Sequence, residues 1–152
     1  MEILQFRGKS LQSKAIRFQT RSVHSHTAIL LKNGMMVEAW YPGGVRAAPI
    51  DQHTHVPGTK VDVYSILTSY DEAVAEQFLM SQVGKGYDLL SVLRFVTRRD
   101  APANDRWFCS ELALTACDRA GARLLVGNYA HMSPRDVSLS PLLNWTGELI
   151  LP

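Results

Sequence analysis

The sequence predicts a single α+β domain built on a central antiparallel β-sheet, and three observations carry that prediction. Two apolar runs, His26 to Leu31 and Met35 to Trp40, flank Lys32-Asn33-Gly34, a strong hairpin signal. Lys60 to Leu67 alternates Val61, Val63 and Ser65 against Asp62, Tyr64 and Ile66, as a strand does. Two stretches with helical character end at glycine, one from Ser69 to Val83 and one from Cys109 to Ala120. The 152 residues make one domain, 1–152, long enough to bury a proper core.

In chain order, Glu2 to Phe6 reads as a first strand. Ser10 to Phe18 follows with Leu11, Ala15, Ile16 and Phe18 at helix-compatible spacing. The hairpin comes next, and its register decides which side chains share a face. A two-residue Asn33-Gly34 turn pairs Lys32 with Met35 and puts His26 and Glu38 on opposite faces. A three-residue loop pairs Leu31 with Met35, and His26, Ala28, Met36 and Glu38 then share one face. Both strands are apolar on both faces, so periodicity leaves the choice open. Tyr41-Pro42-Gly43-Gly44 interrupts the sheet and Val45 to Ile50 resumes it. Residues 51–58 are a loop, and Lys60 to Leu67 is a further strand. Ser69-Tyr70-Asp71-Glu72 has capping-box spacing for the helix that Gly84-Lys85-Gly86 stops. Asp88 can cap a helix over 89–96, and 98–106 reads as a loop. Ser133-Pro134 can cap a short helical turn through Val137, and Thr146 to Leu151 can close the sheet.

Composition excludes several function classes. Hydrophobic residues make up 46% and charged residues 20%, with no fibrous or disordered bias. A net charge of +2 on scattered basic residues, with dispersed aromatics, argues against nucleic acid. No apolar run approaches the ~18 residues of a bilayer span. The start Met-Glu-Ile-Leu-Gln-Phe-Arg is unlike a secretory signal, so a cytoplasmic location is expected unless a dedicated export system or phage lysis releases the chain. No glycine-rich phosphate loop is present, since Gly84-Lys85-Gly86 follows a helix rather than a strand.

The residues with chemical potential are few. Cys109 begins an apolar helix, where unpaired N–H groups and the helix dipole favour thiolate. Ser110 and Glu111 follow it immediately. Cys117 sits eight residues on among alanines and leucines, too far along one helix for a disulfide, and reads as structural. A cysteine nucleophile needs a base, and the base needs an orienting group. Of five histidines, His24 precedes a strand, His53 and His55 lie in a loop, and His131 precedes a turn. His26 alone begins a strand entering the sheet, and Glu38 on the neighbouring strand is a carboxylate that must be paired there. His24-x-His26 and His53-x-His55 have same-face spacing, but no carboxylate or thiolate set accompanies them, so neither metal nor any other cofactor is expected.

Ser25 to Leu31 followed by Val37-Glu38-Ala39-Trp40 resembles the histidine hairpin of NlpC-type papain-like cysteine hydrolases. Gly84-Lys85-Gly86-Tyr87-Asp88 and Trp107-Phe108-Cys109-Ser110-Glu111-Leu112 resemble that superfamily's "G-x-x-Y-D" and "C-S-E-L" segments. Histidine precedes cysteine, an order similar to the circularly permuted YaeF/YiiX-like hydrolases related to lecithin:retinol acyltransferases. The resemblance covers about residues 22 to 136 and implies a permuted papain-like fold. It implies Cys109 as nucleophile, His26 as general base and Glu38, where many relatives carry histidine, as the group orienting the imidazole. It favours the three-residue loop and makes Tyr87 an active-site neighbour able to help hold an oxyanion.

Ser110, beside the nucleophile, and Trp40 complete the candidate oxyanion and substrate-binding set. Met35, Met36, Trp40 and 89–95 suit an acyl site, although core packing explains them as well. The expected activity is hydrolysis of an amide in a peptidoglycan-type peptide through an acyl-enzyme. Acyl transfer or (thio)ester or lipid-amide hydrolysis is the alternative, and a non-catalytic binding module the third reading. The expected partner is a peptide or acyl-containing small substrate, with no nucleic acid and no stable membrane insertion. Oligomeric state is left open.

Overall fold

The structure is a computed structural model that describes residues 1–89 and 105–152. The expected helix over 89–96, beyond its first residue, and most of the loop over 98–106 lie outside those residues. Six strands form one antiparallel sheet: β1 (Glu2–Arg7), β2 (His26–Leu30), β3 (Met35–Trp40), β4 (Gly44–Pro49), β5 (Lys60–Ile66) and β8 (Leu143–Ile150). Their spatial order is β4-β3-β2-β1-β5-β8. A separate parallel pair joins β6 (Gly86–Tyr87) to β7 (Arg106–Trp107). The helices are α1 (Leu11–Thr20), α2 (Glu72–Gln82), α3 (Cys109–Arg119) and α4 (Pro134–Ser138). The expected α+β architecture with its central antiparallel sheet is what the chain adopts.

The hairpin takes the three-residue loop. The Leu31 N–H donates to the Met35 carbonyl at 2.9 Å and the Gly34 N–H to the Leu31 carbonyl at 3.0 Å, with Gly34 at φ +82°. Glycine supplies that left-handed conformation without steric cost. Ile29 therefore pairs with Val37 and Leu30 with Met36.

Alternation then sorts the side chains onto two faces. Ile3, Ile29, Leu31, Val37, Ala39 and Val45 pack with α2 and α3 in the larger core. Leu4, Phe6, Ala28, Met36, Val61 and Val63 form a second core with Leu151. His26 pairs with Phe6 across β1, so it belongs to this second face.

Some elements differ from their sequence reading for definite reasons. Ser69 does not cap α2. Asp71 does, accepting from the N–H groups of Ala73 and Val74. Glu72 is not a capping-box partner, because its carboxylate takes the N-terminal ammonium at 2.7 Å and the Lys32 N–H at 2.7 Å. Strand β4 stops at Pro49 and Ile50–Gln52 turns into a short 3-10 helix. Strand β8 begins at Leu143, three residues before the expected start, because a bulge between Val63 and Tyr64 lets it pair along all of β5. Arg106, the last residue of the segment read as loop, begins β7.

Gly44 ties β4 to the loop after α2. The Val45 N–H donates to the Lys85 carbonyl at 2.8 Å, and the Gly84 N–H donates to the Val45 carbonyl at 2.9 Å. A Cβ on Gly44, at φ +79°, would lie 2.1 Å from the Lys85 carbonyl oxygen. Gly44→Ala is therefore expected to cost roughly 2–4 kcal/mol in denaturant unfolding. Gly43→Ala, whose Cβ meets nothing within 4 Å, should stay within about 0.5 kcal/mol of wild type.

Candidate active site

The site is built around a carboxylate. Glu38 is 1% exposed and its two oxygens accept four hydrogen bonds. Oε1 takes Arg46 Nε at 2.8 Å and Nη2 at 2.5 Å. Oε2 takes His26 Nε2 at 2.5 Å and His55 Nε2 at 2.9 Å. Arg46 reaches it because it stands directly opposite Glu38 in the β3–β4 register. Burial alone would raise the Glu38 pKa, but the hydrogen bonds and charges of His26 and His55 hold it well below its ordinary value. The carboxylate is thus ionised, and both Nε2 atoms carry the protons that bond to it. The His26 Nδ1 has no hydrogen-bond partner among the described residues.

His26 and Cys109 belong to different faces of the sheet, and a break in the ladder lets the Cys109 sulfur reach Thr27, the residue after His26. Pairing between β2 and β3 runs through Ile29↔Val37 and stops before Thr27. Antiparallel alternation, counted back from Leu31, points the Thr27 N–H toward β3. That N–H is instead directed at the Cys109 sulfur, as are the N–H groups of Ser110 and Cys109 itself. The sulfur therefore lies against the residue next to His26. Among the described residues no hydrogen bond joins Cys109 to His26, and the free Nδ1 is the atom that could make one.

The electrostatics of Cys109 differ from the sequence expectation. The amides of the helix start and of Thr27 do favour thiolate, but the side chain is 1% exposed and burial outweighs them. The thiol is pushed up to about 12. Cys117, buried in α3, is also pushed up to about 12. Resting acidity does not separate the two sulfurs. Their surroundings do: Cys117 packs among apolar residues, whereas Cys109 faces backbone donors and a histidine strand.

Tyr87, Trp40 and Ser110 are all brought to this region, in different ways. Tyr87 is buried, edge-on to Tyr41 at 5.8 Å and tilted against Phe108 at 5.6 Å. Burial and the neighbouring Cys109 raise its pKa, so it stays a neutral hydroxyl donor. Trp40 lies edge-on to His26 at 5.3 Å and to His55 at 4.3 Å. Ser10, Ser13, Ser25, His26, Trp40 and Tyr87 border a cavity of about 20 Å³, room for about one water. The Ser110 hydroxyl is unavailable to a substrate oxygen, because it donates to the Met132 carbonyl at 2.5 Å. Gln5, fully buried opposite Thr27, accepts the Thr27 hydroxyl on Oε1 and has an unpartnered Nε2.

Sequence reasoning missed two members of the site. His55, set aside as a loop histidine, is 6% exposed and stacks on Phe6 at 4.3 Å. Its pKa is lowered by burial, with Glu38 opposing and His26 and Arg46 adding to the effect. No local pattern marks it. Arg46 carried a usable signal, since a cationic residue eight positions after Glu38 across a short turn can be its cross-strand partner. His24 is structural, bonded through Nε2 to buried Asp62 at 2.8 Å beside Arg7 and Trp145.

His26, Glu38 and His55 also present three ligating atoms within 4.8 Å of one another. Two imidazoles and a carboxylate are a suitable donor set for zinc. Their arrangement is not that of ligands. Two atoms at about 2.0 Å from a tetrahedral metal stand roughly 3.3 Å apart, whereas both Nε2 atoms lie at hydrogen-bond distance from one oxygen. Arg46 moreover supplies the cation that balances Glu38. As placed, the residues do not fit a metal.

No family model and no curated protein matches the chain. Among solved structures, the metalloprotein YiiX of Escherichia coli O157:H7 superposes with a TM-score of 0.74 at 23% identity. The match covers 98% of this chain and 96% of that one. The chain therefore has the YiiX-like fold that its motifs resemble.

The cluster sets a pH dependence of stability. The folded-state pKa of His55 lies below its ordinary 6.5, so its neutral form is favoured in the fold. That stability is present above pH 6.5 and is lost as pH falls toward the folded value. Glu38, also depressed, contributes above 4.5 and loses that contribution on further acidification. Melting temperature should therefore fall in two stages, and His55→Gln should remove the upper one. Glu38→Gln, which leaves Arg46 without its counter-charge, should cost about 3–5 kcal/mol in chemical unfolding.

Proposed function

We propose that the chain is a cysteine hydrolase that cleaves an amide bond in a peptidoglycan-type peptide, with Cys109 as nucleophile, His26 as general base and Glu38 as orienter. The observation that carries this reading is the state of His26. Its Nε2 is held by a buried carboxylate and its Nδ1 has no partner among the described residues, one residue from the amide beside Cys109 Sγ. The choice of an amide substrate rests on the motif resemblance.

A thiol pushed up to about 12 defines how the chemistry begins. The sulfur does not wait as a thiolate. His26 Nδ1 takes the Sγ proton as sulfur bonds to the carbonyl carbon, which is general-base catalysis worth about 100–10,000-fold. Glu38 stabilises the imidazolium that forms. The Cys109 N–H receives the developing oxyanion, and Tyr87 Oη or Gln5 Nε2 is the second donor. The imidazolium then protonates the leaving amine as the C–N bond breaks. Water, deprotonated by His26, finally releases the acyl group and restores the thiol. The same groups would serve acyl transfer if an amine or alcohol replaced that water.

The structural neighbour is described as a metalloprotein, and the three clustered donors favour a metal centre as a second reading. It requires Arg46 to withdraw and both Nε2 atoms to give up the protons they share with Glu38. The hydrogen-bonded arrangement is the one we adopt. Chelation should accordingly leave activity unchanged; loss on chelation with recovery on adding zinc would replace the triad with a metal site.

Purified protein incubated with muropeptides should release a new amine. Cys109→Ala should abolish release without changing the melting temperature, and an active Cys109→Ala protein would remove Cys109 from the mechanism. His26→Ala should lose about 100-fold or more, and Glu38→Gln, compared at a temperature where it is folded, should lose less. No thiolate absorbance should appear near neutral pH, and iodoacetamide should modify Cys109 slowly. Turnover of N-acyl amides but not muropeptides would assign the acyl-substrate alternative.

A further inference from the structure

The outer face of α1 has no function in the site. Ser10 caps the helix through the Ser13 N–H, and Ser13, Ile16 and Thr20 turn inward. Leu11, Ala15 and Phe18, at i, i+4 and i+7, turn outward as one stripe. Leu11 is 84% and Phe18 88% exposed, and Val23 just beyond the helix is 51% exposed. Two large side chains so fully exposed on one short helix form a patch rather than scattered apolar residues.

Cations surround this stripe. Residues 3–37 contain no aspartate or glutamate. Lys9, Lys14, Arg17 and Arg21 lie in or beside α1, and none is in an ion pair among the described residues. Arg17 and Lys9 make long bonds to the carbonyls of Gly8 and Pro57, at 3.4 and 3.5 Å, which leave their charges uncompensated. The sequence spends two exposed apolar anchors and four free cations on ten helical residues and their flanks.

We propose that α1 docks the chain peripherally on an anionic lipid surface, with Leu11 and Phe18 entering the headgroup–acyl boundary and Lys9, Lys14, Arg17 and Arg21 meeting the lipid charges. Interfacial helices combine these two features, apolar anchors and a basic rim. A second copy of the chain is a poor occupant, because a two-fold contact would bring identical unpaired cations together. Nucleic acid would use the cations and leave Leu11 and Phe18 unexplained. No helix among the described residues is long and apolar enough to cross a membrane, so docking is superficial. Ser10, Ser13 and Ile16 on the inner face of α1 border the cavity beside His26. On the hydrolase reading, and resting on it, a docked α1 sets that cavity at the lipid surface.

Co-sedimentation of the full chain with phosphatidylcholine vesicles, with and without about 30% phosphatidylserine, tests this. Partitioning should be at least about tenfold stronger on the anionic vesicles and should weaken with added salt. Leu11→Ser/Phe18→Ser should lose about tenfold with an unchanged circular dichroism spectrum and melting temperature, because both side chains are already in water. Lys9→Glu/Lys14→Glu should erase the preference for anionic vesicles. Cys109→Ala should bind as wild type does, so failure of the hydrolase reading leaves docking intact. Equal binding to both vesicle types, or a serine variant that binds like wild type, would overturn the proposal. So would a wild-type dimer that the serine variant dissolves with no vesicle binding, or a preference for DNA that ignores the serine changes.

Discussion

A carboxylate buried inside a sheet imposes conditions on everything near it. Glu38 stands in a strand otherwise made of Met35, Met36, Val37, Ala39 and Trp40, and an unpaired charge there would cost several kcal/mol. Four hydrogen bonds from three side chains answer it, and each side chain comes from a different constraint of the fold. Register supplies Arg46, the three-residue hairpin loop puts His26 on the same face, and the 51–58 segment carries His55 back over that face. Phe6 and Trp40 wall the imidazoles so that their planes are set by packing as well as by hydrogen bonds. The carboxylate itself is fully satisfied, and a partly satisfied version would be worse than an apolar core.

A second feature lies where the two cores meet, beside His26. The ladder between β2 and β3 is unmade at the His26 end. A forgone strand hydrogen bond normally leaves a costly orphan, but here the Thr27 N–H faces Cys109. The sheet is opened at one place, and the helix start is inserted there. Cys117, two turns along the same helix, packs within the larger apolar core. The difference between the two cysteines is thus topological, since burial raises both thiols alike.

Much of this was legible in the chain. The Asn33-Gly34 signal, the alternation of β5 and the glycine stops located the hairpin, the sheet and both long helices. Cys109, His26 and Glu38 could be singled out because each is chemically out of place in its apolar run. What could not be read was anything depending on which groups are desolvated together. Helix-start amides argued for an acidic thiol, and full burial reversed the sign. Glu72 had the spacing of a capping residue, but the N-terminal ammonium and the Lys32 N–H, both remote in sequence, competed for it successfully. Ser110 had the right neighbour in sequence, and the Met132 carbonyl took its hydroxyl.

By itself the sequence determined the secondary elements, the candidate nucleophile and the need for a partner to Glu38, because local backbone preference and the cost of burying charge are properties of short segments. Tertiary structure decided the hairpin register among alternatives that periodicity left equal. It added His55 and Arg46, opened the ladder at Thr27 and buried the Cys109 thiol, which pushes its pKa up. Each of those outcomes depends on distances between segments far apart in the chain and on the water excluded between them, and no pattern within a single segment encodes either.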